Sequence, residues 1–267
     1  MFTRLPSTLL RISLVGFTGS LLACTVAQGG IDDSEVENSK PTASPIIGAS
    51  KASAYPEAAI VDMYRGGVLQ AACSGSVIAP QVVLTAGHCV DGFDGWRIRA
   101  PYTSSGVQTA QSSGGITYDW KEGGSETVNP NHHDVGLIFL ETAITLATYP
   151  TLATAPVANG SKVYNLGRIN NGVMSNTDMF IGAAVSVSDA KSSGFPYDYI
   201  STDIIQSGDS GGPDILAGTH QIVAVNSGAG GSTQVLARVD LLSSWIQSNI
   251  ASHGGSGGGG TTPPPPP

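Results

Sequence analysis

The sequence predicts an all-β protein with one C-terminal helix. Its composition and its short apolar segments predict the strands, and a helical periodicity near the C-terminus predicts the helix. Of the 267 residues, 35 are Gly and 16 are Pro, while only 12% are charged. This composition is typical of many turns between short strands rather than of long solvated helices. The apolar segments between residues 46 and 250 are short, and Gly, Asn, Ser or Pro separates nearly all of them. We therefore expect one strand-rich domain of roughly 200 residues.

Each predicted strand is a short apolar run bounded by turn residues. These runs occupy residues 58–61, 76–78, 82–85, 135–140, 162–166 and 222–225. One helix is predicted, over residues 241–250, where apolar side chains recur near one face. Asp240 stands directly before it and is a residue type that caps helix N-termini. The expected layout is strands followed by a terminal helix.

The charge excludes one class of partner. Phosphate binding needs clustered Lys and Arg, but the chain has only 12 of these residues and a formal net charge of −8. We therefore predict no nucleic-acid partner. An acidic surface is ordinary for a soluble extracellular protein and indicates little more.

The first 23 residues have the pattern of an export signal. Arg4 and Arg11 supply positive charge, and residues 12–23 form an apolar core too short to span a bilayer. Residues 21–24, Leu-Leu-Ala-Cys, resemble the lipobox of bacterial lipoprotein signals. This resemblance makes Cys24 a candidate lipidation site and membrane anchor.

An ordinary signal peptide, cut after Ala23 or Ala27, fits the same segment. Thr25 rather than Asp follows the cysteine, and the lipobox resemblance then implies the outer membrane or cell surface. Both interpretations predict export, either as a surface lipoprotein or as a secreted protein.

Two segments of low apolar content flank the predicted domain. Residues 24–45 are polar and acidic, which predicts a tether or propeptide. Residues 252–267 contain a glycine run followed by five prolines, the pattern of a flexible linker and a stiff polyproline segment. The folded domain is therefore expected over residues 46–251, and we expect a monomer.

Ser210 is the first candidate for chemistry. It stands in residues 208–213, Gly-Asp-Ser-Gly-Gly-Pro, whose glycines let the backbone turn tightly near a reacting oxygen. The same pattern occurs at the nucleophile elbow of α/β-hydrolases and in plain glycine-rich turns. In an α/β-hydrolase the catalytic histidine follows the serine, and here only His220 and His253 do so. Their positions make that alternative poor.

A better histidine precedes the serine. His88 comes just after the apolar run of residues 82–85, which is expected to hold it rigidly. Apart from Cys24, the chain has two cysteines, Cys73 and Cys89, and an even remainder in an exported protein predicts a disulfide. Such a disulfide would stabilise the fold by about 3 kcal/mol and fix the histidine loop.

These segments resemble the motifs of the trypsin-like (chymotrypsin-fold) serine proteases. Residues 73–89 are similar to the family's histidine loop, 134–140 to its aspartate segment, 208–213 to its serine motif and 241–246 to its closing helix. The similarity covers about residues 46–250 in the family's order of His, Asp and Ser. It implies two six-stranded antiparallel Greek-key β-barrels with a C-terminal helix.

The resemblance implies a catalytic triad of His88, Asp134 and Ser210. Ser210 would attack a carbonyl, His88 would take and return the proton, and Asp134 would fix the imidazole tautomer. The N–H groups of Gly208 and Ser210 would form the oxyanion hole. This chemistry implies protein or peptide substrates and no cofactor.

His132 and His133 stand directly before Asp134 and invite a metal interpretation. Adjacent strand residues point to opposite faces, and no Cys or carboxylate cluster completes a tetrahedral set. We therefore predict loop histidines and no metal.

The activation motif departs from the family's pattern. Cleavage before Ile46 would create the N-terminus that, by resemblance, pairs with Asp209. However, Pro45 precedes Ile46 in place of Arg or Lys. Activation at this bond by a trypsin-like protease is therefore not expected.

The predicted specificity pocket departs as well. Ile204 stands where a trypsin carries Asp, so cleavage after Arg or Lys is not expected. The alignment places Ala224 and Asn226 along the pocket edge and Gln234 where it narrows the interior. These residues favour small or medium apolar side chains. Gln206 also stands where a second disulfide cysteine is common.

Three functions are compatible with the sequence. The complete triad favours an active endopeptidase. A catalytically silent homologue acting as a surface binding module is the main alternative, and Pro45 before Ile46 motivates it. An esterase of another fold would need a histidine elsewhere.

Overall fold

The computed structural model describes residues 49–120 and 128–253. The predicted export signal and tether, including Cys24 and Ile46, lie outside the described residues. Residues 254–267 of the predicted tail lie outside them as well. The predictions made for these segments therefore stay predictions.

The described residues form nineteen strands, three 3₁₀ helices and one α-helix. The first strands are β1 Ser50–Lys51, β2 Ala58–Arg65, β3 Val68–Ala79, β4 Val82–Thr85, β5 Gly95–Thr103, β6 Gly106–Ser112, β7 Gly114–Thr117 and β8 Gly136–Phe139. The later strands are β9 Thr151–Leu152, β10 Lys162–Gly167, β11 Ile169–Asn170, β12 Val173–Met174, β13 Phe180–Ile181, β14 Val185–Ser186, β15 Ser188–Asp189, β16 Asp198–Thr202, β17 Pro213–Leu216, β18 Gln221–Gly230 and β19 Thr233–Arg238. The 3₁₀ helices are Gly87–Cys89, Lys191–Ser193 and Asp240–Leu242, and α1 is Ser243–His253.

The first sheet is an antiparallel barrel with the strand order β6-β5-β2-β3-β4-β8-β7. β6 and β7 are separated by a single residue and together act as one strand. Six strands therefore surround the barrel interior. The barrel closes where the Glu141 N–H donates to the Gln111 carbonyl at 2.9 Å. The apolar interior follows from strand alternation: along β5, Trp96, Ile98 and Ala100 are buried.

The second sheet has ten strands within the described residues. Its main path is β1-β13-β10-β17-β18-β19-β16-β15, with β14 also beside β10 and β9 beside β18. The β9–β18 pair is parallel, and the other pairs are antiparallel. Leu166, Tyr199, Ile215 and Leu236 belong to its buried core. Together with the C-terminal helix, the two sheets confirm the predicted all-β fold class.

The six runs predicted as strands coincide with β2, β3, β4, β8, β10 and β18. The predicted helix is also present, but its beginning differs. Asp240 does not cap it, because its carboxylate accepts hydrogen bonds from Arg238 Nε at 3.0 Å and Nη2 at 2.7 Å. Asp240 instead starts a 3₁₀ turn, and the α-helix begins at Ser243. None of the described helices is long and apolar enough to cross a membrane.

Candidate active site

The 3₁₀ turn Gly87–Cys89, here called the histidine turn, follows directly from β4. All four residues of β4 are buried, so the strand is anchored on both faces. Gly87 is required because a Cβ at this position would lie 2.8 Å from the Cβ of Trp120. The predicted disulfide between Cys73 and Cys89 is confirmed and joins β3 to the turn. The histidine turn is therefore held from two sides.

His88 and Asp134 form a close pair. Nδ1 of His88 lies 2.8 Å from Oδ2 of Asp134, and the His88 N–H donates to Oδ1 at 2.9 Å. The Ser227 hydroxyl donates to Oδ2 at 2.6 Å. Asp134 is 1% exposed, yet both of its oxygens accept hydrogen bonds. Because Asp134 faces Nδ1, the other ring nitrogen of His88 is the one left for a serine or a substrate.

The pKa of His88 lies above its ordinary value. Burial lowers this pKa, but the negative charge of Asp134 and its hydrogen bond to the ring outweigh burial. A carboxylate that stabilises the imidazolium makes the ring a better proton acceptor. This suits the role of a general base.

Residues 208–212, here called the serine loop, lie against the histidine turn. The Ser210 carbonyl accepts a hydrogen bond from the Ser74 N–H at 2.8 Å and lies 3.8 Å from Cys89 Sγ. The Ser74 hydroxyl donates to the Gly208 carbonyl at 2.9 Å. Ser74 of β3 and the disulfide thus hold the serine loop beside Cys89, the residue that follows His88.

The two predicted oxyanion donors are on this loop. No described residue accepts a hydrogen bond from the N–H of Gly208 or of Ser210. By contrast, the Gly211 N–H donates to the Asn226 carbonyl at 2.7 Å. The first two donors are therefore available, within the described structure, to an oxygen brought by a ligand.

Two of the four predicted pocket residues, Ile204 and Gln234, contact each other. The other two, Ala224 and Asn226, lie in the buried core. Oε1 of the fully buried Gln234 accepts the Ile204 N–H at 2.9 Å. Ala224 and Asn226 are fully buried in β18. The pairing of β18 with β19 shifts in register between Asn226 and Gly228. The prediction that these four residues form the specificity pocket stays a prediction.

Asp209 is fully buried beneath the serine loop. Its Oδ1 accepts the Ile169 N–H at 2.9 Å, and its Oδ2 accepts the Gln206 N–H at 3.0 Å. Burial raises the pKa of Asp209 to about 7, and backbone hydrogen bonds and Arg168 offset part of the rise. Its predicted partner Ile46 lies outside the described residues, so the activation pair stays a prediction.

A second histidine–aspartate pair lies beside the first. Nδ1 of His133 is 3.0 Å from Asp119 Oδ2, and the His133 N–H donates to Oδ1 at 2.8 Å. The His133 ring packs on Tyr197 with centroids 4.0 Å apart. His132 is farther away, with Nδ1 4.0 Å from the same Asp119 oxygen. This pair repeats the geometry of the His88 pair, and within residues 49–120 and 128–253 no serine loop contacts it.

One group of ligand-type side chains in the described residues lies close together. It consists of Cys73, His88 and Cys89, whose candidate ligand atoms are within 4.8 Å of one another. The two sulfur atoms are joined in a disulfide and are not thiolates. This group therefore does not offer the ligands that a metal ion requires.

Two polar residues near His88 and Asp134 were not predicted from the sequence. Ser227 donates to Asp134, as described above. Asp198 is 2% exposed, and its pKa is raised to about 8 by burial and then by the charge of Asp134. Neither residue belongs to a motif. In the sequence, each of them is a polar residue inside or beside an apolar strand. That pattern does not show which residue the polar side chain contacts.

A shallow cavity of about 280 Å³ adjoins the site. Its lining includes Phe195, Ile200, Gly228 and Val235. Gly228 follows directly after Ser227, so the cavity begins next to the residue whose hydroxyl binds Asp134. It gives the site a concave and mostly apolar wall.

Two β-sheets that hold a histidine turn against a serine loop define the class of chymotrypsin-fold serine proteases. The family model described as Trypsin matches residues 46–246. The chain belongs to the trypsin family. Membership supports a protease function in general, with proteins or peptides as substrates. No curated protein matches the chain.

Solved structures share this fold at low sequence identity. HL collagenase is 18% identical with a TM-score of 0.61, and the match covers 76% of this chain and 96% of that one. Human heparin binding protein is 19% identical with a TM-score of 0.60, covering 81% and 99%. A scabies mite inactivated protease paralogue is 21% identical with a TM-score of 0.62, covering 77% and 99%. These likenesses show the fold alone, and the last shows that the fold also occurs in an inactivated paralogue.

Proposed function

We propose that this chain is an active serine endopeptidase with His88, Asp134 and Ser210 as its triad. The observation that carries the proposal is the buried Asp134, whose two oxygens bind the ring and the backbone N–H of His88. A buried carboxylate aligned with a histidine ring supports an active endopeptidase over a silent binding module, because it stabilises the imidazolium formed during catalysis. The bond from the Ser227 hydroxyl further fixes this carboxylate.

The proposed reaction forms and hydrolyses an acyl-enzyme. Ser210 Oγ attacks the scissile carbonyl carbon while the free ring nitrogen of His88 takes the hydroxyl proton. The carbonyl oxygen becomes an oxyanion that accepts hydrogen bonds from the Gly208 and Ser210 N–H groups. His88 returns the proton to the amine as the C–N bond breaks. Water then attacks the ester by the same route and releases the acid.

The test is labelling of purified protein by a fluorophosphonate, which phosphonylates an activated serine. We expect wild-type protein to be labelled and Ser210→Ala and His88→Ala to remain unlabelled. Ser207→Ala is the matched control, because Ser207 lies three residues away on the surface and is expected to leave labelling intact. Folded wild-type protein that resists the probe, in both its full-length form and a form starting at Ile46, would support the silent binding module instead.

We further propose that Gln234 limits the side chain accepted before the scissile bond. Its side chain is fully buried, and it bridges the Ile204 N–H at 2.9 Å and Asn165 Oδ1 at 3.1 Å. The oxygen and the nitrogen of this amide are both hydrogen-bonded. Moving the side chain would cost free energy, because two buried polar groups would lose their hydrogen-bond partners. Small or medium apolar residues are therefore the proposed preference, and Arg or Lys finds no carboxylate at Ile204.

Shortening this side chain is expected to widen the preference. In Gln234→Ala, we expect kcat/KM for a peptide with Phe before the scissile bond, relative to one with Ala, to rise about tenfold or more. The exposed Gln111 provides the control Gln111→Ala, for which the ratio is expected to be unchanged. An unchanged ratio in Gln234→Ala would remove Gln234 from the specificity pocket. The ratio is used because an overall loss of stability affects both substrates equally.

We propose that the protein works outside the cytoplasm. The disulfide between Cys73 and Cys89 persists in oxidising compartments, and the predicted export signal agrees with it. Attachment through a lipidated Cys24 and release as a soluble monomer give mature proteins of different mass. Intact mass analysis of native material distinguishes a lipid-modified Cys24 from a chain cut after Ala23 or Ala27.

A further inference from the structure

Asn226 holds the backbone of the serine loop on both sides of Ser210. Its Nδ2 donates to the Asp209 carbonyl at 3.1 Å. The Gly211 N–H donates to the Asn226 carbonyl at 2.7 Å, and the Asn226 N–H donates to the Gly212 carbonyl at 2.9 Å. One fully buried residue thus contacts the residue before the serine and the two after it.

The amide of Asn226 is itself fixed by other buried side chains. Its Oδ1 accepts from Asn165 Nδ2 at 2.9 Å, and the same Nδ2 donates to Asp214 Oδ1. Asn165 Oδ1 accepts from Gln234 Nε2 at 3.1 Å. All four side chains are fully buried. Burial raises the pKa of Asp214 well above its ordinary value, which favours its neutral form. The network therefore needs no counter-ion.

The loop has little room to move away from this network. A Cβ at Gly212 would lie 3.0 Å from Asn226 Nδ2 and would collide with the Leu166 carbonyl, to which Asn226 Nδ2 also donates at 3.0 Å. On the opposite side, Ser74 of the first sheet binds the carbonyls of Gly208 and Ser210. The serine loop is therefore clamped between the two sheets by neutral hydrogen bonds.

We propose that Asn226 is a positioning residue that sets the geometry of the serine loop, so that the loop does not depend on cleavage before Ile46. This inference rests on the proposed protease function and concerns its regulation. Both carboxylate oxygens of Asp209 already accept backbone N–H groups. The bond before Ile46 follows a proline and lacks the basic residue that a trypsin-like activator needs. The unprocessed chain is thus expected to be active.

The first test compares two forms of the protein with the fluorophosphonate. One form is the full mature chain with an intact Pro45–Ile46 bond, checked by N-terminal sequencing after the assay. The other begins at Ile46. We expect second-order labelling rates that agree within about threefold, because both forms present the same clamped loop. An intact form that reacts about 100-fold more slowly would overturn the inference while leaving the protease proposal in place. If neither form reacts, the protease proposal itself fails.

The second test removes the clamp. Asn226→Leu keeps the branching at Cγ but cannot donate to the Asp209 carbonyl, and we expect kcat to fall about 100-fold with little change in KM. Asn159→Leu is the control, since Asn159 is exposed and its side chain, among the described residues, accepts a single backbone N–H, from Asp189. A folded Asn226→Leu protein with wild-type kcat would overturn the inference. If this variant does not fold, the labelling comparison of the first test decides: an intact form that reacts about 100-fold more slowly than the form starting at Ile46 overturns the inference.

Discussion

Replacing Asp134 by asparagine is expected to lower kcat about 10⁴-fold while the fold is retained. The carboxylate accepts the His88 N–H on Oδ1 and faces the His88 ring with Oδ2. An amide has one oxygen, so one of these two groups must face an NH₂. If the NH₂ faces the ring, Nδ1 becomes the acceptor and the proton moves to the other ring nitrogen. That nitrogen then cannot take the proton of Ser210.

The second histidine–aspartate pair provides a matched control for this prediction. Asp119 binds the N–H of His133 at 2.8 Å and faces its ring at 3.0 Å, nearly the geometry of the proposed catalytic pair. Asp119→Asn is expected to change kcat by less than about threefold, because the contacts that the described residues make with the His133 ring include no serine or cysteine. Equal losses in the two variants would mean that the effect comes from disturbing this region and not from the triad.

Apolar runs in the sequence identify the strands that are buried on both faces. Residues 82–85 predict β4 to the residue, because all four side chains are buried and the first three are apolar. β5 and β6 were not predicted, since their buried residues alternate with polar ones that face outward, as at Arg97 and Arg99. The cap predicted at Asp240 is wrong because Arg238, two residues away, offers its carboxylate a stronger charge-assisted pair.

The candidate site divides in the same way between local motifs and long-range contacts. His88 and Ser210 stand in glycine-containing segments whose local shape the sequence specifies. Ser227 and Asp134 are 93 residues apart in the sequence. The local sequence around neither residue predicts their hydrogen bond. Asn226 pairs in register with Leu236, and the pairing of β18 with β19 shifts only after it; a shift of one residue exchanges the faces of a strand, so the inward position of Asn226 depends on this pairing. Strand pairing decides such details, and local pattern does not.

Asp198 is expected to make the protein less stable as the pH rises from about 4 to about 8. Burial and the charge of Asp134 raise its folded-state pKa to about 8, while Arg238 offsets part of the rise. The guanidinium of Arg238 is committed elsewhere, to Asp240 and to Asp189 at 2.9 Å. Among the described residues, Asp198 Oδ2 has no hydrogen-bond partner. Its charged form is therefore poorly stabilised.

The sign of the effect follows from proton binding. In this pH window the unfolded chain releases the proton of Asp198 while the folded protein keeps it. The folded state therefore binds more protons, and the free energy of unfolding falls with rising pH. The full contribution of one such group is on the order of 5 kcal/mol. Asp209, whose pKa is raised to about 7 by burial, adds a decrease of the same sign that ends about one pH unit earlier.

Asp198→Asn isolates the contribution of Asp198 because the amide has a similar shape and cannot ionise. In a Ser210→Ala background, which prevents self-digestion, urea unfolding should show that the variant gains stability over its parent as pH rises from 5 to 9. The gain should level off above about pH 8. Asp189→Asn is the control, because Asp189 binds the same Arg238 but is 43% exposed at its side chain; its effect should not grow with pH in this way. Parallel stability curves for Asp198→Asn and its parent would show that Asp198 is ionised in the folded protein at neutral pH, with a stabilising partner that opposes its burial.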